Sequence, residues 1–203
     1  MNQIRLEYIW VGGNKELRSK TKVVRTHKDI LRLNDTEICN WDYDGSSTGQ
    51  ADGNNSEVII KPVAVYKDPF RTQNDLLILC DTWLNNGEPH STNTRYCAKK
   101  IFDKGLNKEP WFGMEQEFFI MTRDIKKPVG FPYNGYPNPQ GQYYCSIGAS
   151  NAFGREFLEE ALNNCLIAGI PVTGSNFEVC PGQLEIQVCS TGIKQGDNLL
   201  ITR

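Results

Sequence analysis

The chain opens with apolar, β-branched segments set between turn-forming residues. IRLEYIWV, TKVVRT, EICNWDY, SEVIIKPVAVY and DLLILCDTW follow one another between residues 4 and 85, with GGNKE, DGSSTG, ADGNNS and KDPFRTQND between them. Such runs, bounded by Gly, Asn, Asp and Pro, predict strands joined by turns. The polar stretch NNGEPHSTNT then places a domain boundary near residues 85–93. Beyond it, Asn93 predicts the cap of a helix over 94–104 that stops at Gly105. WFGMEQEFFIM predicts a strand from Trp111 to Met121. Residues 128–144, PVGFPYNGYPNPQGQYY, are too rich in Pro and Gly for regular structure. They predict an irregular loop, either a surface loop held down by its own aromatics or a wall of a binding site. Asn151 predicts the cap of an amphipathic helix that stops at Gly169, with Phe153, Phe157, Leu158, Ala161, Leu162, Cys165 and Leu166 on one face. Ile170 to Val188 predicts paired strands around the turn Cys180-Pro181-Gly182-Gln183, and Gly196-Asp197 predicts a further helix start.

Composition narrows the class. The 203 residues are 39% hydrophobic and 23% charged, which is ordinary for a globular chain and excludes global disorder. A net charge of -2 and a pI of about 5.8 give no electrostatic case for a nucleic-acid partner. No apolar run approaches the roughly 20 residues that span a bilayer, so no membrane partner is expected. The start, MNQIRLEYIW, lacks a basic region followed by an apolar stretch, and the cytoplasm is the expected compartment. The cysteines, at 39, 80, 97, 145, 165, 180 and 189, are odd in number and lack CxxC spacing, so reduced thiols are expected. His27 and His90 are the only histidines, far in sequence from the glutamate-bearing strands, which argues against zinc. Both are expected at the surface.

The chemistry concentrates on two pairs of glutamates. Side chains alternate along a strand, so Glu115 and Glu117 point the same way while Met114, Gln116 and Phe118 point the other. Two like charges amid aromatics cost free energy unless a cation neutralises them. Trp111, Phe112, Phe118 and Phe119 also read as too apolar for a strand facing open water. Glu178 and Glu185 flank the Pro-Gly turn and are expected to face one another on adjacent strands. Glu185 shares a face with Gln187, opposite Leu184, Ile186 and Val188. Four carboxylates on paired strands suit a hard ion such as Mg²⁺ or Mn²⁺. The loop Trp41 to Gly49 has an EF-hand-like start, but Ala51 occupies the twelfth position, where a bidentate Glu is needed. By itself it reads as an Asp-Gly turn supported by serines.

Taken together, EYIWVGG and KELRSKT within 7–21, WDYDGSSTGQ at 41–50, KDPFR at 67–71, PWFGMEQEFF at 110–119, PNPQGQYYC at 137–145 and the Glu178 to Gln187 hairpin resemble glutamine synthetase of the eukaryotic type. The resemblance implies an α+β fold. A β-grasp domain covers 1–87, and 94–203 is the N-terminal part of a catalytic domain, a partial β-barrel with helices. It implies an ATP-dependent ligase that joins glutamate and ammonium into glutamine through a γ-glutamyl phosphate, with Mg²⁺ or Mn²⁺ and ATP as substrate. Glu117, Glu178 and Glu185 match the carboxylates of one metal site, and Glu115 matches a ligand of a second. Asp44 matches the aspartate that binds and deprotonates ammonium, with Ser47 beside it, in a loop that serves a neighbouring subunit of a homo-oligomeric ring. Glu115 matches a nucleotide-side position as well, and Glu185, Ile186, Gln187, Val188 and Ser190 fall in the ATP-contacting segment. There the chain departs from the family, reading VCSTGI one residue shorter than the usual IGPCEGI. The family continues beyond the position of Arg203 with further metal, glutamate and phosphate ligands, so the 203 residues are expected to hold an incomplete active site and to be inactive alone. A catalytically dead, truncated paralogue that co-assembles with a full-length subunit is the alternative expectation.

Overall fold

The structure is a computed structural model that describes residues 2–26, 36–71, 74–124 and 126–203. His27 lies outside the described residues. The chain divides into two compact units, Met1–Glu109 and Pro110–Arg203.

The first unit is built on strands β1 (Asn2–Val11), β2 (Leu17–Thr26), β3 (Trp41–Asp44), β4 (Glu57–Lys67) and β5 (Leu76–Leu84). They form one sheet in the order β2-β1-β5-β4-β3, parallel between β1 and β5 and antiparallel elsewhere. Alternate positions of β1, namely Ile4, Leu6, Tyr8 and Trp10, are buried with Val58, Ile60, Leu76 and Ile78. Pro62 has no N–H to give the ladder, and the register of β4 shifts between Pro62 and Ala64. Helix α1 (Thr94–Phe102) starts as expected, with the Asn93 side chain accepting the Tyr96 N–H at 3.0 Å. Its end differs from the expected stop: the chain tightens into a 3₁₀ segment, Asp103–Lys108, that runs through Gly105.

The second unit holds β6 (Trp111–Phe119), β7 (Val172–Phe177) and β8 (Gln183–Thr191) in an antiparallel sheet ordered β6-β8-β7, with α2 (Arg155–Ala168) and α3 (Lys194–Thr202). The expected hairpin forms, its turn closed by Gln183 N–H donating to Cys180 O. Helix α2 starts at Arg155, not after Asn151. The Asn151 and Ala152 N–H groups are spent on a preceding turn against Gly148 O. The buried stripe is correspondingly narrow. Leu158, Cys165 and Ala168 are covered, while Phe157 and Leu166 stay exposed. Helix α3 starts two residues before Gly196, where the Gln195 amide donates to Val188 O and ties the first turn to β8.

Strand β6 overturns one expectation. Among the described residues it is an edge strand with no neighbour beyond it in the sheet, and Trp111 is 68% exposed, with Phe112, Met114 and Phe119 also exposed. Apolar flanks therefore did not bury this strand.

Candidate metal centre

The β6–β8 ladder sets Glu117 across from Glu185 and Glu115 across from Gln187, and β7 adds Asn176 beside Glu185. Strand alternation sorts β8 into two faces. Leu184, Ile186, Val188 and Ser190 are buried on one, and Gln183, Glu185 and Gln187 lie on the other. The acidic face carries Glu115, Glu117 and Glu185 with carboxylate oxygens all within 4.8 Å of one another. Glu178, just past β7, lies close enough for its carboxyl to bear on that of Glu185. Glu185 is buried at 4% exposure, whereas Glu115 and Glu117 are exposed.

Neutral amides line this face. Gln187 Nε2 donates to Glu185 Oε1 at 2.7 Å and to Asn176 Oδ1 at 3.1 Å. Gln183 Nε2 donates to Glu117 Oε2 at 2.7 Å, and Asn176 Nδ2 donates to Glu178 Oε1 at 2.9 Å. Gly174 sits opposite Gln187, and a Cβ there would stand 2.5 Å from Gln187 Oε1, so the bare backbone leaves room for that amide. Amides orient carboxylates but add no charge. Among the described residues no Lys, Arg or His forms an ion pair with any of the four glutamates. Burial, joined by the Glu178 and Glu115 carboxylates and opposed by the Gln187 amide, pushes the Glu185 carboxyl above its usual range. An all-oxygen donor set with uncompensated negative charge fits a hard divalent cation.

Sequence reasoning missed Asn176 and Gln183. The signal was present, because alternation from Glu185 puts Gln183 on its face and the hairpin register brings in Asn176. The loop of residues 128–144 is irregular, as expected, and one of its own aromatics, Tyr143, is buried, while Tyr133 and Tyr136 are exposed. Contacts at its two ends hold it as well. The main chain of Val129 packs against Gly182 of the hairpin turn, and Cys145 N–H donates to Phe177 O at the end of β7. Tyr144 stands beside the acidic face, its phenol pushed up by Cys145 first and then by Glu178 and Glu185.

The other expected site residues are placed differently. Ile186 and Val188 are each 1% exposed on the opposite face from Glu185, so their side chains form core. Ser190 is also buried there and accepts from Asn198 Nδ2 at 2.7 Å. Asp44 and Ser47 belong to the first unit. Asp44 caps a 3₁₀ turn, Gly45–Thr48, accepting from the Ser46 N–H at 3.0 Å, the Ser46 hydroxyl at 2.6 Å and the Ser47 hydroxyl at 3.3 Å. The turn ends at Gly49 with φ 69°, a left-handed backbone that glycine adopts without strain. The Ser46 donors, followed by Ser47 and Ser56, hold the exposed Asp44 carboxyl below its usual range. His90, expected at the surface, is buried at 7% exposure, because both ring nitrogens find partners inside the first unit. All seven cysteines are free, with Cys80 and Cys165 buried as small apolar groups.

A family model described as "Glutamine synthetase, catalytic domain" matches residues 88–203. The chain belongs to the glutamine synthetase family. Curated relatives agree along its whole length. The chloroplastic leaf isozyme of glutamine synthetase from Hordeum vulgare is 47% identical over 206 residues, covering 100% of this chain and 46% of that protein. Glutamine synthetase cytosolic isozyme 1-4 from Arabidopsis thaliana is also 47% identical, covering 100% of this chain and 57% of that protein. The chain spans about half the length of these relatives. A cryo-EM structure of Plasmodium falciparum glutamine synthetase matches with a TM-score of 0.71 at 19% identity, covering 98% of this chain and 44% of that one, a likeness of fold.

Proposed function

We propose that this chain carries part of the active site of a glutamate–ammonia ligase. ATP phosphorylates the γ-carboxylate of glutamate, and ammonia then displaces phosphate to give glutamine. The observation that carries this reading is the uncompensated carboxylate face of β6 and β8. Glu117, Glu178 and Glu185 hold one divalent ion, Mg²⁺ or Mn²⁺, and Glu115 contributes to a second. Bound there, the ions supply positive charge against the transferring phosphoryl group. Gln183, Gln187 and Asn176 orient the carboxylates as outer ligand partners. ATP meets the 185–190 segment, where Ile186 and Val188 offer main-chain groups only, their side chains being core. Asp44, kept ionised by its serine donors, accepts ammonium and takes its proton, with Ser47 beside it. The first strands, over 1–87, make a β-grasp domain and 94–203 belong to the catalytic domain. The assembly is a ring in the cytoplasm.

Calorimetry with Mn²⁺ tests the metal assignment. Glu117→Ala and Glu178→Ala should each weaken binding, and unchanged affinity in both would count against it. The 203-residue polypeptide assayed alone should show no synthetase turnover, since among the described residues no basic side chain pairs with the acidic face to help compensate phosphoryl charge. A γ-glutamyl transfer assay near the rate of a complete synthetase would defeat that expectation.

A further inference from the structure

A closed ring of hydrogen bonds joins His90 to the segment that carries Asp44. His90 Nε2 lies 2.5 Å from the Gln50 carbonyl oxygen. A carbonyl only accepts, so Nε2 bears the proton. Nδ1 lies 2.8 Å from Thr92 Oγ1 and accepts the Thr92 N–H at 3.1 Å. A second ring proton at Nδ1 would face that N–H, donor against donor, so the ring is neutral. Nδ1 is the bare nitrogen, and the Thr92 hydroxyl donates to it. Thr92 Oγ1 in turn accepts from Gln50 Nε2 at 2.8 Å, which closes the ring.

Gln50 passes the constraint on. Its Oε1 accepts from the Tyr43 hydroxyl at 2.5 Å and the Thr48 hydroxyl at 3.0 Å. Those two residues bracket Asp44 to Ser47. Main-chain bonds tighten the same turn, with Gln50 and Ala51 N–H donating to Gly45 O at 2.8 and 3.2 Å. Gln50 and His90 are both buried, so water does not compete for these groups. The chain between β5 and α1, polar and without a helical or strand pattern, thereby sets where the 44–50 turn stands.

We propose that His90, as its neutral Nε2–H tautomer, is a positioning residue that fixes the 44–50 turn and with it the Asp44 carboxylate. The inference rests on the reading of Asp44 as the ammonium acceptor. His90 touches no substrate and acts through Gln50 and Thr92.

The test is nuclear magnetic resonance on the labelled 203-residue chain. Long-range ¹H–¹⁵N correlation should find His90 protonated on Nε2 alone at neutral pH. An Nδ1–H tautomer or a doubly protonated ring overturns the proposal. In His90→Leu and in Thr92→Val, amide exchange at Gly45, Gln50 and Ala51 should quicken by about tenfold or more while core amides of β4 and β5 keep their protection. The Asp44 carboxyl titration should move up towards an ordinary aspartate in both. His90→Gln, whose amide can still donate to the Gln50 carbonyl, should fall between parent and His90→Leu. Unchanged turn exchange and unchanged Asp44 titration in both primary variants would overturn the idea. If His90→Leu fails to fold, the tautomer and Thr92→Val still decide. All these readouts follow the turn itself, so unchanged Mn²⁺ affinity in Glu117→Ala and Glu178→Ala would strike the proposed function and leave the positioning role standing.

Discussion

Glu117 of β6 stands directly across the antiparallel ladder from Glu185 of β8, and their oxygens lie within 4.8 Å of each other and of Glu115. Like charges directly opposite destabilise a sheet by roughly 0.2–1 kcal/mol, and exposure of Glu117 puts this pair at the lower end. Glu117→Gln should therefore slightly stabilise the cation-free protein while weakening Mn²⁺ binding. Chemical denaturation in chelator, paired with calorimetry, reads both signs. A variant less stable without cation would remove the repulsion argument.

Ile186 distinguishes core from nucleotide contact. Its side chain is 1% exposed between Glu185 and Gln187 on the strand that bears the acidic face. Ile186→Ala should cost about 2–5 kcal/mol of stability, the usual loss for a buried large-to-small change. Mn²⁺ affinity of the folded fraction should hold, since the carboxylates sit on the other face. Thermal melts and calorimetry on one preparation check the split.

Gly174→Ala places a methyl where Gln187 Oε1 now stands. The clash is with the end of a flexible side chain, so the amide swings away at a cost of about 1 kcal/mol or less. Once moved, it no longer donates to Glu185. Loss of such an outer partner lowers metal affinity about 10–100-fold in known sites, and a fall towards that range is expected here. Unaltered Mn²⁺ affinity would mean that Gln187 does not orient Glu185.

The raised Glu185 carboxyl fixes the sign of a pH effect. Burial chiefly, and then Glu178 and Glu115, make the folded chain keep this proton to higher pH than the unfolded chain. That contribution to stability is full below the ordinary glutamate value of 4.5 and is lost as pH rises through the raised folded value. In chelator, parent protein should therefore lose stability relative to Glu185→Gln as pH rises from there towards neutrality. Saturating Mg²⁺ or Mn²⁺ should flatten the difference. Paired melting curves across that range, with and without cation, measure it.

Much of this was legible in the sequence because it depends on period two. Ile4, Leu6, Tyr8 and Trp10 announce a half-buried strand, the same alternation puts Glu115 and Glu117 on one face, and one Pro-Gly turn folds the Glu178 end of β7 back towards Glu185. What stayed hidden depends on partners distant in sequence. His90 sits in a polar stretch with no apolar pattern, and it is buried only because the Gln50 carbonyl and the Thr92 hydroxyl meet its ring. The start of α2 was misplaced because Asn151 is a good cap whose backbone was already engaged by Gly148. The exposure of β6 could not be read from Trp111 and Phe112, since composition does not say whether a strand has neighbours on both sides.

Gln183 and Glu117, hydrogen-bonded across the ladder, are 66 positions apart in sequence. Until β6 finds β8, the carboxylates of Glu115 and Glu117 cannot meet that of Glu185. Uptake of a luminescent lanthanide during refolding would thus lag behind local helix formation and track the slow closure of distant segments. The acidic face doubles as a built-in clock for when the second unit becomes whole.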